Sequence, residues 1–96
     1  MFIALLKFTD KKDQLREFLP GHKEWLQQGY DAGVFLVSGS LQEGLGGAVL
    51  AHNLSRDELQ SRLATDPFVV NEIVTVEILE ITPSTTDERL AFLMQS

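Results

Sequence analysis

Two segments of this chain are apolar on both of the faces a β-strand presents. In the first, Phe2, Ala4, Leu6 and Phe8 alternate with Ile3 and Leu5. In the second, residues 73–82, Val74, Val76 and Ile78 fall on one side and Ile73, Leu79 and Ile81 on the other. A strand with one wet face alternates apolar with polar residues, so these two must be covered on both sides. One cover is helices of the same chain. In a chain of only 96 residues, the second cover is expected to be another copy of the sheet, giving a homodimer. The competing cover is the C-terminal tail folded back.

Between these strands the periodicity changes. Leu15, Phe18, Leu19, His22, Trp25, Leu26 and Gly29 recur at helical spacing, interrupted by Pro20. Proline suits the first helical position and disrupts the interior. The region therefore divides into a loose turn near 13–18 and a helix from Pro20 to about Ala32, ended by Gly33. Val34 to Ser38 reads as a second strand, Gly39 to Gly46 as a turn-rich connection, and Gly47 to Ala51 as a third strand. Ser55-Arg56-Asp57-Glu58 is a capping box, opening a helix with Leu59 and Leu63 inward. Asp66-Pro67 ends it, because a residue before proline avoids helical angles. Asp87 to Met94 is expected to form a short terminal helix carrying Leu90, Leu93 and Met94. The order is β-α-β-β-α-β. This is an α+β, ferredoxin-like arrangement, a four-stranded antiparallel sheet with both helices on one face. Residues 1–96 form a single domain, with its core in about 1–82 and a tail over 83–96.

The composition, 44% hydrophobic and 23% charged, is that of a globular chain. Fourteen acidic residues against eight basic ones leave a formal charge of −6, and no Lys/Arg stripe is present to neutralise phosphates. Neither nucleic acid nor a membrane is an expected partner. The chain has no cysteine, which removes disulfides, thiolate ligands and thiol nucleophiles and suits a reducing cytoplasm. The apolar N-terminus lacks a basic lead and reads as a strand rather than a leader.

The best candidate for chemistry is His22 with Asp66. As the third residue of a helix starting at Pro20, His22 would sit among unpaired N–H groups at a positive dipole end, which favours the neutral imidazole a general base requires. A lone histidine on an apolar stripe also serves as a structural residue bonded to a carbonyl. Asp66 before Pro67 is ordinary cap chemistry. It could instead accept a hydrogen bond from His22 and fix its tautomer, since both helices lie on one face of the sheet. On this reading His22→Ala removes the chemistry and leaves the fold intact. Other features are weaker. His52-Asn53 reads as a surface turn. Ser38 and Ser40 lack a nucleophile-elbow pattern. Gly44-x-Gly46-Gly47 lacks the strand–helix context of a dinucleotide site. No histidine pair has metal-ligand spacing.

Pro20-Gly21-His22, Trp25-Leu26, Asp31-Ala32-Gly33, Ser38-Gly39 and Asp66-Pro67-Phe68, in that order over about residues 1–82, resemble the YCII-related domain family. The resemblance implies a ferredoxin-like dimer, of the dimeric α/β-barrel kind, whose cleft holds a histidine–aspartate active-site pair, here His22 and Asp66. Ser38 and Gly39 match the strand end that lines the cleft. Trp25 and Phe68 read as core or cleft wall rather than a cofactor platform, and are placed with Ser38 and Gly39 in the substrate pocket. Leu19 stands where many members carry an arginine, which removes an anion-binding group; Arg16 replaces it only if the preceding turn folds back. Gly39-Ser40 replaces a Gly-Pro, and Asn71-Glu72 stands near a usual glycine. A few related proteins remove halide from chlorinated hydroxylated aromatics. The expected function is a small lyase or hydrolase-type enzyme acting on a small molecule, without cofactor or metal. The alternatives are a non-catalytic dimeric module that binds a ligand or partner in the same cleft, and a relative of dimeric α/β-barrel monooxygenases or isomerases with no His–Asp contact.

Overall fold

The computed structural model describes residues 1–95. Its elements are β1 (Phe2–Phe8), α1 (Leu15–Asp31), β2 (Phe35–Leu41), β3 (Gly46–Ala51), α2 (Arg56–Leu63), the one-turn α3 (Pro67–Val70) and β4 (Val74–Glu80). The four strands form one sheet in the order β2-β3-β1-β4, with every neighbouring pair antiparallel. This is the ferredoxin-like arrangement that the element order implied.

The register explains why β1 is apolar on both sides. Phe2, Ala4 and Leu6 are buried on the helix-covered face, beside Ala51 and Val49 of β3 and across from Val76 and Ile78 of β4. Ile3 and Leu5 point to the other face, where Ile3 lies between Leu50 and Leu79. A bulge between Phe35 and Val37 pairs Phe35 with Ala51 and turns Val37 outward beside Leu50. Val37, Leu50, Ile3 and Leu79 thus form one apolar row across the open face. Part of that face is covered by the tail. Its residues form a 3₁₀ helix over Glu88–Gln95 with Leu93 buried, while Leu90 and Met94, expected to share the apolar side, are exposed. Leu90 and Leu93 border a cavity of about 580 Å³ with Val37 and Leu50. The rest of the row is open, with Val37 50% and Leu79 43% exposed.

Two boundaries differ from those the sequence suggested. β2 runs on through Gly39 and Ser40 to Leu41, so the connection to β3 is only the short turn around Gln42–Gly44. Pairing with Ala48 and Gly47 of β3 outweighs the local turn preference of these small residues. The larger correction is at Pro20. It does not begin a helix but lies inside α1, which runs unbroken from Leu15. The cost is confined to one backbone bond, the one a residue at 20 would donate to the Arg16 carbonyl. Arg16 and Pro20 are both exposed, so water can serve that carbonyl. Against this loss, Leu15, Phe18 and Leu19 pack on the core. The helix stops as expected at Gly33, with φ +75°, where Val34 N–H returns to Gly29 O and Gly33 N–H to Tyr30 O.

The capping box of α2 is complete. Glu58 N–H donates to Ser55 Oγ and Ser55 N–H to the Glu58 carboxylate. The Ser55 backbone N–H, then its hydroxyl, hold the Glu58 carboxyl below its ordinary range. The depressed value means that the box is intact at neutral pH and fades only as pH falls through that lowered value. Inside the helix, Leu59 and Leu63 are buried as expected.

Because Pro20 occupies an exposed interior position of α1, Pro20→Ala is expected to stabilise the protein. Restoring the bond and removing ring strain should outweigh the greater freedom of the unfolded chain by about 1–2 kcal/mol. Thermal unfolding should show a rise of roughly 5–10 °C in a domain of this size. A lower Tm would mean that the ring is needed where it is.

Candidate active site

The site begins with the approach of α1 to α3. A Cβ on Gly21 would lie 3.1 Å from Pro67 Cγ, so the absence of a side chain at 21 lets the two helices meet. The next residue, His22, then faces the start of α3. Asp66 is the N-cap of that helix, with extended backbone angles, and Pro67 occupies the first helical position. Asp66 Oδ1 accepts the Phe68 backbone N–H at 3.1 Å and lies 2.8 Å from His22 Nδ1. The cap role and the histidine-partner role are therefore filled by one oxygen. Phe68 adds a third restraint, because its ring stacks on the imidazole with centroids 4.0 Å apart and planes 10° from parallel.

These contacts define the proton arrangement. An ionised carboxylate only accepts, and Oδ1 already accepts one N–H, so His22 Nδ1–H is the donor. In neutral His22 the lone pair is then on Nε2. That nitrogen has no hydrogen-bond partner among the described residues, and its ring lines a cavity between α1 and the sheet. Asp66 is 0% exposed and His22 12%. The second oxygen, Oδ2, is buried without a hydrogen-bond partner among the described residues, so the contacts seen here all fall on Oδ1.

The electrostatic setting of His22 differs from the one the sequence suggested. With α1 starting at Leu15, His22 lies well inside the helix, beyond the reach of the N-terminal dipole, which fades within the first turn. Its nearest charged neighbour is Asp66 instead, at 2.8 Å.

The cavity has a volume of about 390 Å³. Leu6, Phe8, Leu26, Val49 and Val74 are among its apolar lining residues, and Phe68, Ser38, Gly39 and Ser40 border it as well. Ser38 Oγ is 2.8 Å from the Tyr30 hydroxyl. Trp25, assigned to the same wall, stands elsewhere. It is a core residue, 4% exposed, whose Nε1–H donates to Arg62 O at 3.0 Å and to Thr65 Oγ1 at 3.2 Å. Its ring lies against the imidazole at 5.8 Å, away from the cavity. Lys23 does border the cavity and was not among the residues singled out. It is four residues after Leu19, on the same stripe of one continuous helix, and a break at Pro20 conceals that relation. Arg16 is not on the wall. Among the described residues, no three His, Asp or Glu side chains converge as a metal site would require, and no helix is long and apolar enough to cross a membrane.

Comparisons with known proteins bear on this geometry. The model of a family described as the YCII-related domain matches residues 1–83. No curated protein matches the chain. Among solved structures, it is similar to 5-chloro-2-hydroxyhydroquinone dehydrochlorinase (TftG) from Burkholderia phenoliruptrix AC1100, in complex with 2,5-dihydroxybenzoquinone. The TM-score is 0.70 at 18% identity, over 83% of this chain and 91% of that one. At that identity the likeness establishes the shared fold.

Truncation of His22 is not structurally silent in this setting. His22→Ala removes the compensation of a buried carboxylate and the Phe68 stack, and should cost about 2–4 kcal/mol. His22→Asn keeps an N–H donor where Nδ1 was and should cost roughly half as much or less. Equal stability of the two variants in denaturant unfolding would show that the bond to Asp66 contributes nothing.

Proposed function

This chain belongs to the YCII-related domain family, and from that membership and the site's geometry we propose that it is a small lyase-type enzyme. His22 is its general acid/base, acting on a small organic molecule, and Asp66 is the residue that orients and charges the imidazole. The observation that carries the reading is the pair itself: Nδ1 tied to a buried carboxylate at 2.8 Å, with Nε2 unpartnered on a ring facing an apolar cavity. Perturbed or paired titratable groups beside a cavity mark acid/base sites more often than ordinary surface does. The named activity of the similar solved structure, removal of hydrogen chloride, is a reaction this pair can serve.

Nε2 takes a proton from the substrate. The electrons of the broken bond move into a new double bond, and the halide leaves with its own bonding pair. The imidazolium, stabilised by the Asp66 carboxylate, returns the proton to water. The apolar wall keeps competing water away from the base, and Phe68 keeps the ring in plane.

Halide release from chlorinated hydroxyhydroquinones and related single-ring compounds tests this. His22→Asn should lower the rate by about 10²–10⁴, the usual contribution of a positioned base. Asp66→Asn preserves the oxygen that accepts from His22 and Phe68 but loses the charge, and should lower it less. Undiminished turnover in His22→Asn overturns the assignment. Compounds that enter the cavity of the wild type without any loss of halide favour the non-catalytic binding module.

We also propose that two copies pair through the open sheet face, in a cysteine-free protein suited to a reducing cytoplasm. The row of Val37, Leu50, Ile3 and Leu79 supports this, since such a row is seldom left to water. Sedimentation should give a dimer, and Leu79→Arg, which places a charge at the edge-strand end of the row, should give a folded monomer. A wild-type monomer at micromolar concentration rules the pairing out.

A further inference from the structure

The cavity beside His22 has an electrostatic polarity that the chain as a whole does not have. The protein carries a formal charge of −6, from fourteen acidic and eight basic residues. None of the acidic side chains lines this cavity, and the one permanently charged group on its wall is the Lys23 ammonium. Nor is Lys23 answered by a partner: among the described residues it has no ion pair, whereas Lys7 and Lys11 are paired with Glu77 and Glu72. Its neighbours one turn away on α1 are Leu19, Pro20, Leu26 and Gln27, none of them acidic. The remainder of the wall is apolar, apart from the His22 ring and the hydroxyls of Ser38 and Ser40. The volume, about 390 Å³, is near the small end of ligand pockets, which run from about 300 to 1,000 Å³.

We infer that Lys23 is the specificity-determining residue of this cavity, and that the ligand it selects is a small organic anion with an apolar body, such as a ring bearing a carboxylate or an ionised hydroxyl. The anion lies at the ammonium, and the body fills the space under α1 between Leu26 and Val49. The ligand is thereby held with part of its body against the imidazole. This rests on the catalytic reading above for the purpose of binding, but the selection of an anion does not depend on turnover.

The test uses benzoate and its neutral counterpart benzamide as probes, titrated into isotope-labelled protein while the backbone resonances of Gly39, Gly47 and Phe68 are followed. Wild type should bind benzoate roughly tenfold more tightly than benzamide, the usual strength of a charge-assisted contact. Lys23→Met should abolish that difference and leave benzamide affinity unchanged; Lys23→Arg should retain it. Lys23 is exposed on a helix surface, so these variants are expected to fold. Phenyl phosphate and 4-nitrophenolate, run alongside, distinguish which anion is preferred. The inference is overturned if benzoate causes no saturable shifts, if benzamide binds equally well to wild type, or if Lys23→Met keeps the preference. His22→Asn separates the two proposals. If it loses the preference while Lys23→Met keeps it, the imidazolium reads the anion and Lys23 does not. If it keeps the preference yet loses no turnover, the catalytic role of His22 falls and the role of Lys23 stands.

Discussion

A carboxylate with no solvent exposure is costly unless something compensates it, and much of this structure is arranged around the compensation of Asp66. Removing a charge from water costs several kcal/mol even after relaxation. Here one oxygen accepts both the Phe68 N–H and the His22 Nδ1–H, and the other has no partner among the described residues. The compensation is therefore incomplete without His22. That dependence ties α1 to α3: the imidazole must reach the cap of a helix far away in sequence, which requires the close approach at Gly21 and the stack on Phe68. Trp25, one turn along α1, adds a separate tie by donating to Arg62 O at the C-terminal end of α2.

The sheet supplies the other half of the site. Its central strand, β1, contributes Leu6 and Phe8 to the floor of the cavity while Ile3 and Leu5 serve the opposite face. One strand thus supports two different surfaces, a ligand space under α1 and an apolar row on the outside. The cavity persists because α1 is held at its middle by the contacts of Gly21 and His22 with α3 and at its C-terminal end by the Gly33 turn into β2, while the wall includes residues without side chains to fill the space, Gly39 and Gly47. His22 lies at the boundary of this space, fixed on its Nδ1 side and free at Nε2, so that structural and chemical demands fall on different atoms of one ring.

Pro20 shows how local preference and global packing compete. A proline inside a helix removes one bond and adds strain, of the order of 3 kcal/mol at worst. The burial of Leu15, Phe18 and Leu19 against the core outweighs it, because each such side chain contributes about 1.5–3 kcal/mol when removed fully from water and a good part of that when half-buried. The outcome matters for the site. An unbroken α1 moves His22 away from a helix terminus and aligns Lys23 with Leu19.

Much of the architecture was legible in the residues alone. The double-faced apolar pattern of residues 2–8, the capping box at Ser55, the stop at Gly33 and the cap at Asp66 depend on contacts within a few residues, and such local rules survive folding. The site residues were legible in a different way: spacing marked His22 only as a histidine on an apolar stripe and Asp66 only as an aspartate before proline, and it was the family resemblance that joined them and set Ser38 and Gly39 beside them. What required the tertiary structure were facts about distance: that Asp66 serves cap and histidine with one oxygen, that Trp25 stands behind the imidazole in the core rather than beside the cavity, that β2 continues through Gly39 and Ser40, and that Lys23 is the charge on the cavity. Each depends on how far one element approaches another, and that is decided by the summed burial of side chains distant in sequence, which no short window of residues contains.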